Sequence, residues 1–163
     1  MIGPEADGQP EVDLSPVRAS VEVAVTPERA FELFTTGMGS WWPLARHSIG
    51  EDRVTGIGIE PREGGRVFEI WDSGEEKDWA RVLVWDPPAR VKLAWQPSLE
   101  PRTPTDVDVR FTPIGSSTRV DLVHSGWERV EEHRRELRSS YVPGWGVVLG
   151  AFESGAVSAR GSE

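Results

Sequence analysis

The stretch DVDVRFTPIGSSTRVDLVHSG, residues 106–126, predicts a β-hairpin in which each strand has one buried face. In its first half, apolar residues at every second position alternate with acidic and basic residues, which is the period of a strand. A Gly-Ser-Ser segment then predicts a tight turn into a second strand with the same alternation. The predicted inward-facing residues are Val107, Val109 and Phe111, followed by Val120, Leu122 and His124.

Upstream of this hairpin, the chain repeats the same rhythm of short strands and tight turns. We predict strands at residues 17–25, 54–60, 66–72, 78–85 and 90–95. Turn residues, rather than helices, join most of these segments, which favours an antiparallel meander over a parallel sheet. Alternation places Val91, Leu93 and Trp95 on one face of their strand. For residues 66–72 two registers remain open, with either Val67, Glu69 and Trp71 or Phe68 and Ile70 inward.

Helical segments flank the predicted sheet. The Thr-Pro-Glu sequence at 26–28 predicts a helix start, with Thr as the N-cap and Pro in the first turn. Residues 37–43 then form a tight turn or a second short helix that carries two adjacent Trp residues. Residues 128–140 predict a solvated connecting helix, and Pro143 begins a final helix. The apolar stripe of that final helix is Trp145, Val148, Leu149, Phe152 and Ala156.

Composition limits the function classes open to the chain. With 163 residues and a net charge of -9, it fits one domain and is a poor partner for nucleic acid. There is no Cys and there are only three His, so we expect no metal site, and no motif for a cofactor is present. No apolar run approaches the roughly 18 residues of a membrane span. The eight Trp residues indicate a large aromatic interior, a pocket, or both.

The two ends of the chain are predicted to be tails. Residues 1–16 are acidic and rich in Gly and Pro, which favours a disordered segment, and residues 159–163 form a second short tail. The first segment does not have the charged-then-apolar pattern of an export leader. We therefore expect a cytoplasmic protein.

Six short motifs resemble those of one known family in the same order. They are VTPERAF at 25–31, WWP at 41–43, GGRVFE at 64–69, WDPPAR at 85–90, HSGW at 124–127 and the Gly-Trp pair at 144–145. This set resembles the SRPBCC or START-like superfamily, and within it the branch named for the Hsp90 ATPase activator homologue. The resemblance spans nearly the whole chain and implies one α+β domain over residues 17–158. Its expected architecture is the helix-grip (Bet v 1-like) fold, in which a curved antiparallel sheet wraps a long C-terminal helix around a cavity.

The resemblance also carries expectations about partners. Members of the superfamily bind lipids, hormones or polyketides, and some cyclise or hydrolyse them, which implies a hydrophobic small-molecule ligand here. We do not expect a role with Hsp90, because the eukaryotic activator resembles this chain only in its second domain and also uses a separate amino-terminal domain. Homodimerisation is compatible with every function considered below.

Strand parity and the resemblance together predict a ligand-binding cavity, with the GGRVFE motif favouring the register that turns Glu69 inward. The predicted lining is Trp41, Trp42, Glu69, Trp71, Trp95, His124, Trp145 and Leu149. Such a mainly apolar pocket with few polar groups is typical of a small-molecule site. These aromatic residues could instead simply fill the core. Because Trp41 and Trp42 are adjacent, we expect one of them to line an opening.

Histidines and one glutamate are the candidates for acid–base chemistry. Glu69 and His124 could act as an acid and base pair if both enter the cavity, although a buried, hydrogen-bonded His is the more common arrangement. His47 follows the WWP turn and either guards the entrance or lies in a plain loop, and His133 is expected to be solvated.

Three functions from different classes are consistent with the sequence. The first is a cavity protein that binds a hydrophobic or aromatic small molecule without a strong catalytic role. The second is a cyclase-, aromatase- or hydrolase-like enzyme that uses Glu69 and His124. The third is a protein-interaction module, which predicts a filled cavity and an exposed apolar patch.

Overall fold

A computed structural model of the chain describes residues 13–44, 47–98 and 103–161. Seven antiparallel strands form one curled sheet in the order β1-β7-β6-β5-β4-β3-β2. The strands are β1 (Val17–Val23), β2 (Val54–Ile59), β3 (Arg66–Trp71), β4 (Glu76–Asp86), β5 (Arg90–Trp95), β6 (Thr105–Ile114) and β7 (Ser117–Ser125). Two α-helices complete the domain, α1 (Pro27–Phe34) and the long C-terminal α2 (Arg134–Gly161), and three short 3-10 turns link these elements. This architecture confirms the predicted helix-grip fold.

The alternation in the hairpin sequence correctly predicts which side chains face the core. All six predicted inward residues of β6 and β7 are buried, with their neighbours partly or fully exposed. The same holds for β5, where Val91, Leu93 and Trp95 are buried. In β3, Val67, Glu69 and Trp71 are buried, so of the two registers left open the one with Glu69 inward is observed.

Helix α1 begins as its sequence predicts. The Thr26 hydroxyl accepts a hydrogen bond from the Arg29 backbone N–H at 3.2 Å, and Pro27 occupies the first turn. The inward face of the helix buries Phe31 and Phe34 against the sheet and α2. This packing closes one end of the core.

The predicted start of the final helix at Pro143 is wrong. Helix α2 begins nine residues earlier, at Arg134, and continues through Pro143 as one uninterrupted helix. Proline removes one backbone hydrogen bond to Ser139, and both residues lie on the exposed face, where water can satisfy the carbonyl. Buried Trp145 and partly buried Tyr141 lie on the inward face on either side of the proline. Tertiary packing therefore holds the helix together across a residue that usually ends one.

The two predicted tails lie only partly within the described residues. Residues 1–12 lie outside them, whereas residues 13–16 run beside α2. There the Arg138 guanidinium donates to the Ser15 carbonyl at 2.7 Å. At the other end, α2 extends to Gly161, beyond the predicted domain limit at 158.

Candidate functional site

A cavity of about 580 Å³ lies between the sheet, α2 and the segment after the WWP turn, and it opens partly to solvent. Four Trp residues form its apolar wall, which is why we call it the indole-lined cavity. The lining consists of Trp42, His47, Ser48, Ile49, Trp79, Trp95, Pro97, Ser98, Ser140, Tyr141, Gly144, Trp145 and Val148. Among these described lining residues, none is Asp, Glu, Lys or Arg.

The four indoles come from four different elements and pack on one another. Ring centroids are 4.9 Å apart for Trp42 and Trp79, 5.8 Å for Trp79 and Trp95, and 5.4 Å for Trp95 and Trp145. All four pairs around the wall, including Trp42 with Trp145 at 6.1 Å, are tilted or edge-on, as aromatic rings prefer. The wall is therefore a continuous aromatic surface.

The two adjacent Trp residues of the WWP turn face different spaces. Trp42 lines the cavity, and its indole N–H donates to the His47 carbonyl at 2.7 Å. Trp41 packs against Phe34 and Phe152 instead, and its indole N–H donates to the Leu33 carbonyl at 2.7 Å. Because both N–H groups are satisfied by backbone carbonyls, both ring bodies can be buried.

Glu69 is completely buried, and its carboxylate accepts four hydrogen bonds from uncharged N–H groups. Oε1 accepts from the Ile49 backbone at 2.7 Å and from the Trp79 indole at 2.6 Å. Oε2 accepts from the Gly50 backbone at 2.7 Å and from the Trp71 indole at 2.6 Å. We call this group the Glu69 cluster. It ties the Ile49–Gly50 segment to the sheet and holds the Trp79 indole of the cavity wall in place.

His124 is also completely buried and is hydrogen-bonded through both ring nitrogens. The Trp145 indole N–H donates to Nδ1 at 3.0 Å, so in the neutral ring the proton resides on Nε2. Nε2 lies 2.6 Å from the Thr105 hydroxyl, which donates in turn to the Trp95 carbonyl at 3.3 Å. This chain of bonds links three strands to α2 and orients two indoles of the cavity wall.

The polar groups that do line the cavity come from two segments, residues 47–48 and the first half of α2, together with Ser98. Tyr141 is partly buried, and its hydroxyl oxygen accepts a hydrogen bond from the Trp95 indole at 3.0 Å. The hydroxyls of Ser48 and Ser140 both donate to backbone carbonyls. His47 also lines the cavity and is partly buried.

Three arginine–carboxylate pairs involve strand residues on the outer face of the sheet. Side-chain hydrogen bonds to carboxylates there raise the pKa of three guanidinium groups above the usual value. The pairs are Arg66 with Glu76, Arg90 with Asp108 and Arg129 with Asp106. These ion pairs leave the opposite face of the sheet to the apolar cavity.

The predicted lining and the structure overlap in part. Trp42, Trp95 and Trp145 border the indole-lined cavity. The other predicted residues are buried around it without lining it: Trp41, Glu69, Trp71, His124 and Leu149. His133 is exposed.

Sequence reasoning did not identify Trp79 or Tyr141 as lining residues. Trp79 lies in β4, where two consecutive residues, Trp79 and Ala80, are both buried, so that simple alternation fails. Tyr141 lies close to the segment predicted to be solvated and outside the predicted apolar stripe. Its spacing of four residues from Trp145 is the signal that places both on one helical face.

Metal sites and membrane spans are not seen in the part of the chain that the structure describes. In the ranges 13–44, 47–98 and 103–161, no group of three or more His, Asp or Glu side chains is arranged to hold a metal ion. Over the same ranges, none of the helices combines the length and the apolar character required to span a membrane.

Known proteins share this architecture. The model of the family described as activator of Hsp90 ATPase homolog 1-like protein matches residues 24–154. No curated protein matches the chain. Among solved structures, an anthrahydroquino-gama-pyrone synthase, Txn09, is 36% identical, with 71% of this chain and 79% of that chain covered and a TM-score of 0.50.

Two other solved structures cover more of the chain. The self-sacrificing resistance protein CalC from Micromonospora echinospora is 26% identical, with 90% of this chain and 96% of that chain covered and a TM-score of 0.66. The Aha1 dimer from Colwellia psychrerythraea is 17% identical, with 85% and 92% covered and a TM-score of 0.62, and this similarity supports the fold alone.

Proposed function

We propose that this chain, which belongs to the family of activator of Hsp90 ATPase homologue 1-like proteins as its motifs predict, binds an apolar aromatic small molecule in the indole-lined cavity. The fold commonly binds hydrophobic ligands. The observation that carries the proposal is the wall of four packed indoles around an open volume of about 580 Å³. Ligand pockets of small molecules typically have volumes of roughly 300–1,000 Å³.

The shape of the wall supports a flat ligand. Indole faces and edges offer large apolar surfaces at a low cost in conformational entropy, and they favour stacked or edge-on contact with another aromatic ring. The 36% identical relative is named an anthrahydroquino-gama-pyrone synthase. That name concerns the relative, and it favours fused aromatic rings as the class of ligand to test here.

An enzymatic role is the second candidate function, and the synthase among the relatives is the observation that favours it. The predicted acid–base pair, Glu69 and His124, gives little support to an enzymatic role. Both oxygens of Glu69 and both ring nitrogens of His124 are engaged in hydrogen bonds, and neither side chain lines the cavity. A catalytic role would fall instead to two polar residues that line the cavity, His47 and Tyr141.

A protein-interaction role has less support than ligand binding. An interaction module would have a filled cavity, whereas the space beside the four indoles is open. Homodimerisation stays a prediction; a dimer has been described for the Aha1 neighbour. Light scattering coupled to gel filtration measures the oligomeric state of this chain directly.

The binding proposal is tested by filling the cavity. Gly144 lies on α2 at the cavity, and a Cβ built there meets no atom within 4 Å. Gly144→Leu would place a side chain in the ligand space and also improve helix propensity. We expect the Kd of anilinonaphthalene sulfonate, an aromatic fluorescent dye, to rise at least about tenfold, which corresponds to about 1.4 kcal/mol.

The matched control is Gly150→Leu on the same helix. Gly150 is exposed, does not line the cavity and also has open space around a Cβ. This variant should bind the dye as the unchanged protein does. If both variants bind it equally well, or if the unchanged protein does not bind it at all, the cavity is not the ligand site.

A further inference from the structure

The Tyr141 hydroxyl has an unused hydrogen-bond donor at the wall of the indole-lined cavity. A phenolic hydroxyl has one donor and accepts through its oxygen. The oxygen accepts from the Trp95 indole at 3.0 Å. Among the residues that the structure describes, no acceptor receives the hydroxyl proton of Tyr141.

The position of this hydroxyl is determined by packing on several sides. The Tyr141 ring stacks on Trp145 at 5.8 Å and 24°, and it meets the His124 ring edge-on at 4.6 Å. A third contact, with Trp127, lies at 5.7 Å. A side chain packed in this way loses little entropy when it donates to a ligand, which is the physical basis of preorganisation.

The other hydroxyls along the cavity differ from Tyr141 in this respect. The Ser140 hydroxyl donates to the Leu137 carbonyl at 2.6 Å, and the Ser48 hydroxyl donates to the Leu44 carbonyl at 2.5 Å. Ser98 also has an interaction of its own. The imidazole of His47 donates or accepts according to its tautomer, so it does not discriminate between ligand oxygens that accept and those that donate.

We infer that Tyr141 is a specificity-determining residue that selects aromatic ligands carrying an acceptor oxygen, such as a ring carbonyl, over the corresponding hydrocarbon. This inference rests on the proposed function, since it concerns a ligand in the same cavity. One added hydrogen bond in a partly buried site corresponds to roughly a three- to tenfold change in affinity.

The experiment compares two probes that differ only in ring oxygens. Anthraquinone sulfonate and anthracene sulfonate, with the sulfonate at the same ring position, are titrated by calorimetry into the unchanged protein and into Tyr141→Phe. The measured quantity is the ratio of the two Kd values. We expect Tyr141→Phe to reduce the preference for the quinone by roughly three- to tenfold, because one hydrogen bond is lost only with that probe.

The variant has one side effect, because Tyr141→Phe also leaves the Trp95 indole N–H without its acceptor. Weaker packing of the wall affects both probes alike and cancels in the ratio, whereas the freed N–H can donate only to the quinone and therefore opposes the expected change. An unchanged ratio with both probes bound, together with no gain from the fluorinated Tyr141 described below, would overturn the role of Tyr141 and leave the proposed function standing. If neither probe bound to the unchanged protein, the proposed function itself would fail.

A second measurement does not depend on how the Phe variant folds. The sequence contains a single Tyr, so incorporation of difluorotyrosine modifies position 141 alone. Fluorination makes the phenol a stronger hydrogen-bond donor, and at a pH where it remains protonated the preference for the quinone should increase. An equal or smaller preference would contradict the inference.

Discussion

Two spaces of almost equal volume lie one after the other along α2, the first beside residues 140–148 with Trp42 and the second beside residues 151–158 with Trp41. The indole-lined cavity, bordered by Trp42, measures about 580 Å³, and a second space bordered by Trp41 measures about 560 Å³. We call the second space the outer groove. Its lining consists of Arg29, Leu33, Ser40, Trp41, Ala151, Ser154, Gly155 and Ser158. The two spaces therefore differ in chemistry and not in size.

The chemistry of the walls identifies the first space as the candidate site. Four indoles surround the cavity, whereas the outer groove has one indole among small and hydroxyl-bearing residues and lies more open to solvent. A small-molecule site needs convergent apolar surface with a few placed polar groups, and only the cavity among these two provides it. Volume alone does not distinguish a ligand site from a surface groove.

The supports behind the two walls also differ. The Glu69 cluster holds the cavity wall through four hydrogen bonds to a charged group. At the outer groove, the helix instead comes close to Trp41 because Gly155 has no side chain; a Cβ there would lie 2.7 Å from the Cβ of Trp41. One wall depends on polar contacts and the other on close steric approach.

The largest effect is expected from Glu69→Gln, which breaks the support of the cavity while preserving its shape. The amide nitrogen would replace one oxygen and would face two N–H donors, whichever way the side chain is turned. Losing two hydrogen bonds to a buried charge should lower the free energy of unfolding by about 3 kcal/mol. Urea denaturation followed by circular dichroism measures this change.

The matched control for that variant is Glu76→Gln, an exposed carboxylate on β4 paired with Arg66. A surface ion pair contributes about 0–1 kcal/mol, so the free energy of unfolding of this variant should be close to that of the unchanged protein. Equal stabilities for the two variants would show that the Glu69 cluster does not support the cavity wall.

A smaller effect is expected from Gly155→Ala at the outer groove. The added methyl group would contact the backbone end of the Trp41 side chain, which cannot move as a flexible tip would, and overpacking of this kind costs about 1–3 kcal/mol. Gly146→Ala makes the same change on the exposed face of α2, where a Cβ meets open space, and should stabilise by up to about 1 kcal/mol. Thermal unfolding of the pair gives the difference; similar melting temperatures would contradict the close packing.

The smallest effect is expected from Ser154→Leu, which adds apolar bulk to the outer groove at an exposed position. The free energy of unfolding should change by less than about 0.5 kcal/mol, and the Kd for anilinonaphthalene sulfonate should stay unchanged. If this variant weakened dye binding as much as Gly144→Leu, the ligand would lie in the outer groove and the comparison would be reversed.

Strand periodicity accounts for the inward-facing residues that could be predicted from the sequence. Trp95 is predicted to face inward from the alternation of β5, and it borders the cavity. Alternation does not predict that Trp79 faces inward, because β4 buries two successive residues and its register with β3 shifts. A bulge depends on how two strands pair, which neither strand encodes alone.

The helical side of the cavity was less predictable because of one residue. Pro143 suggested a helix start, which separated Tyr141 from the stripe that contains Trp145. In the structure both lie on one continuous face of α2 and stack on each other. Proline disfavours the interior of a helix, but the packing of α2 on the sheet stabilises the helix across Pro143.

By itself, the sequence determined the fold class, the inward faces of β5 to β7 and the abundance of indoles, since periodicity and composition are local properties of the chain. Only the tertiary structure decided which indoles border open space. Trp41 and Trp42 are neighbours in sequence, yet one faces the outer groove and the other the cavity. The role of Glu69 was likewise decided by donors about 20 residues away at Ile49 and Gly50, which only folding brings to its carboxylate.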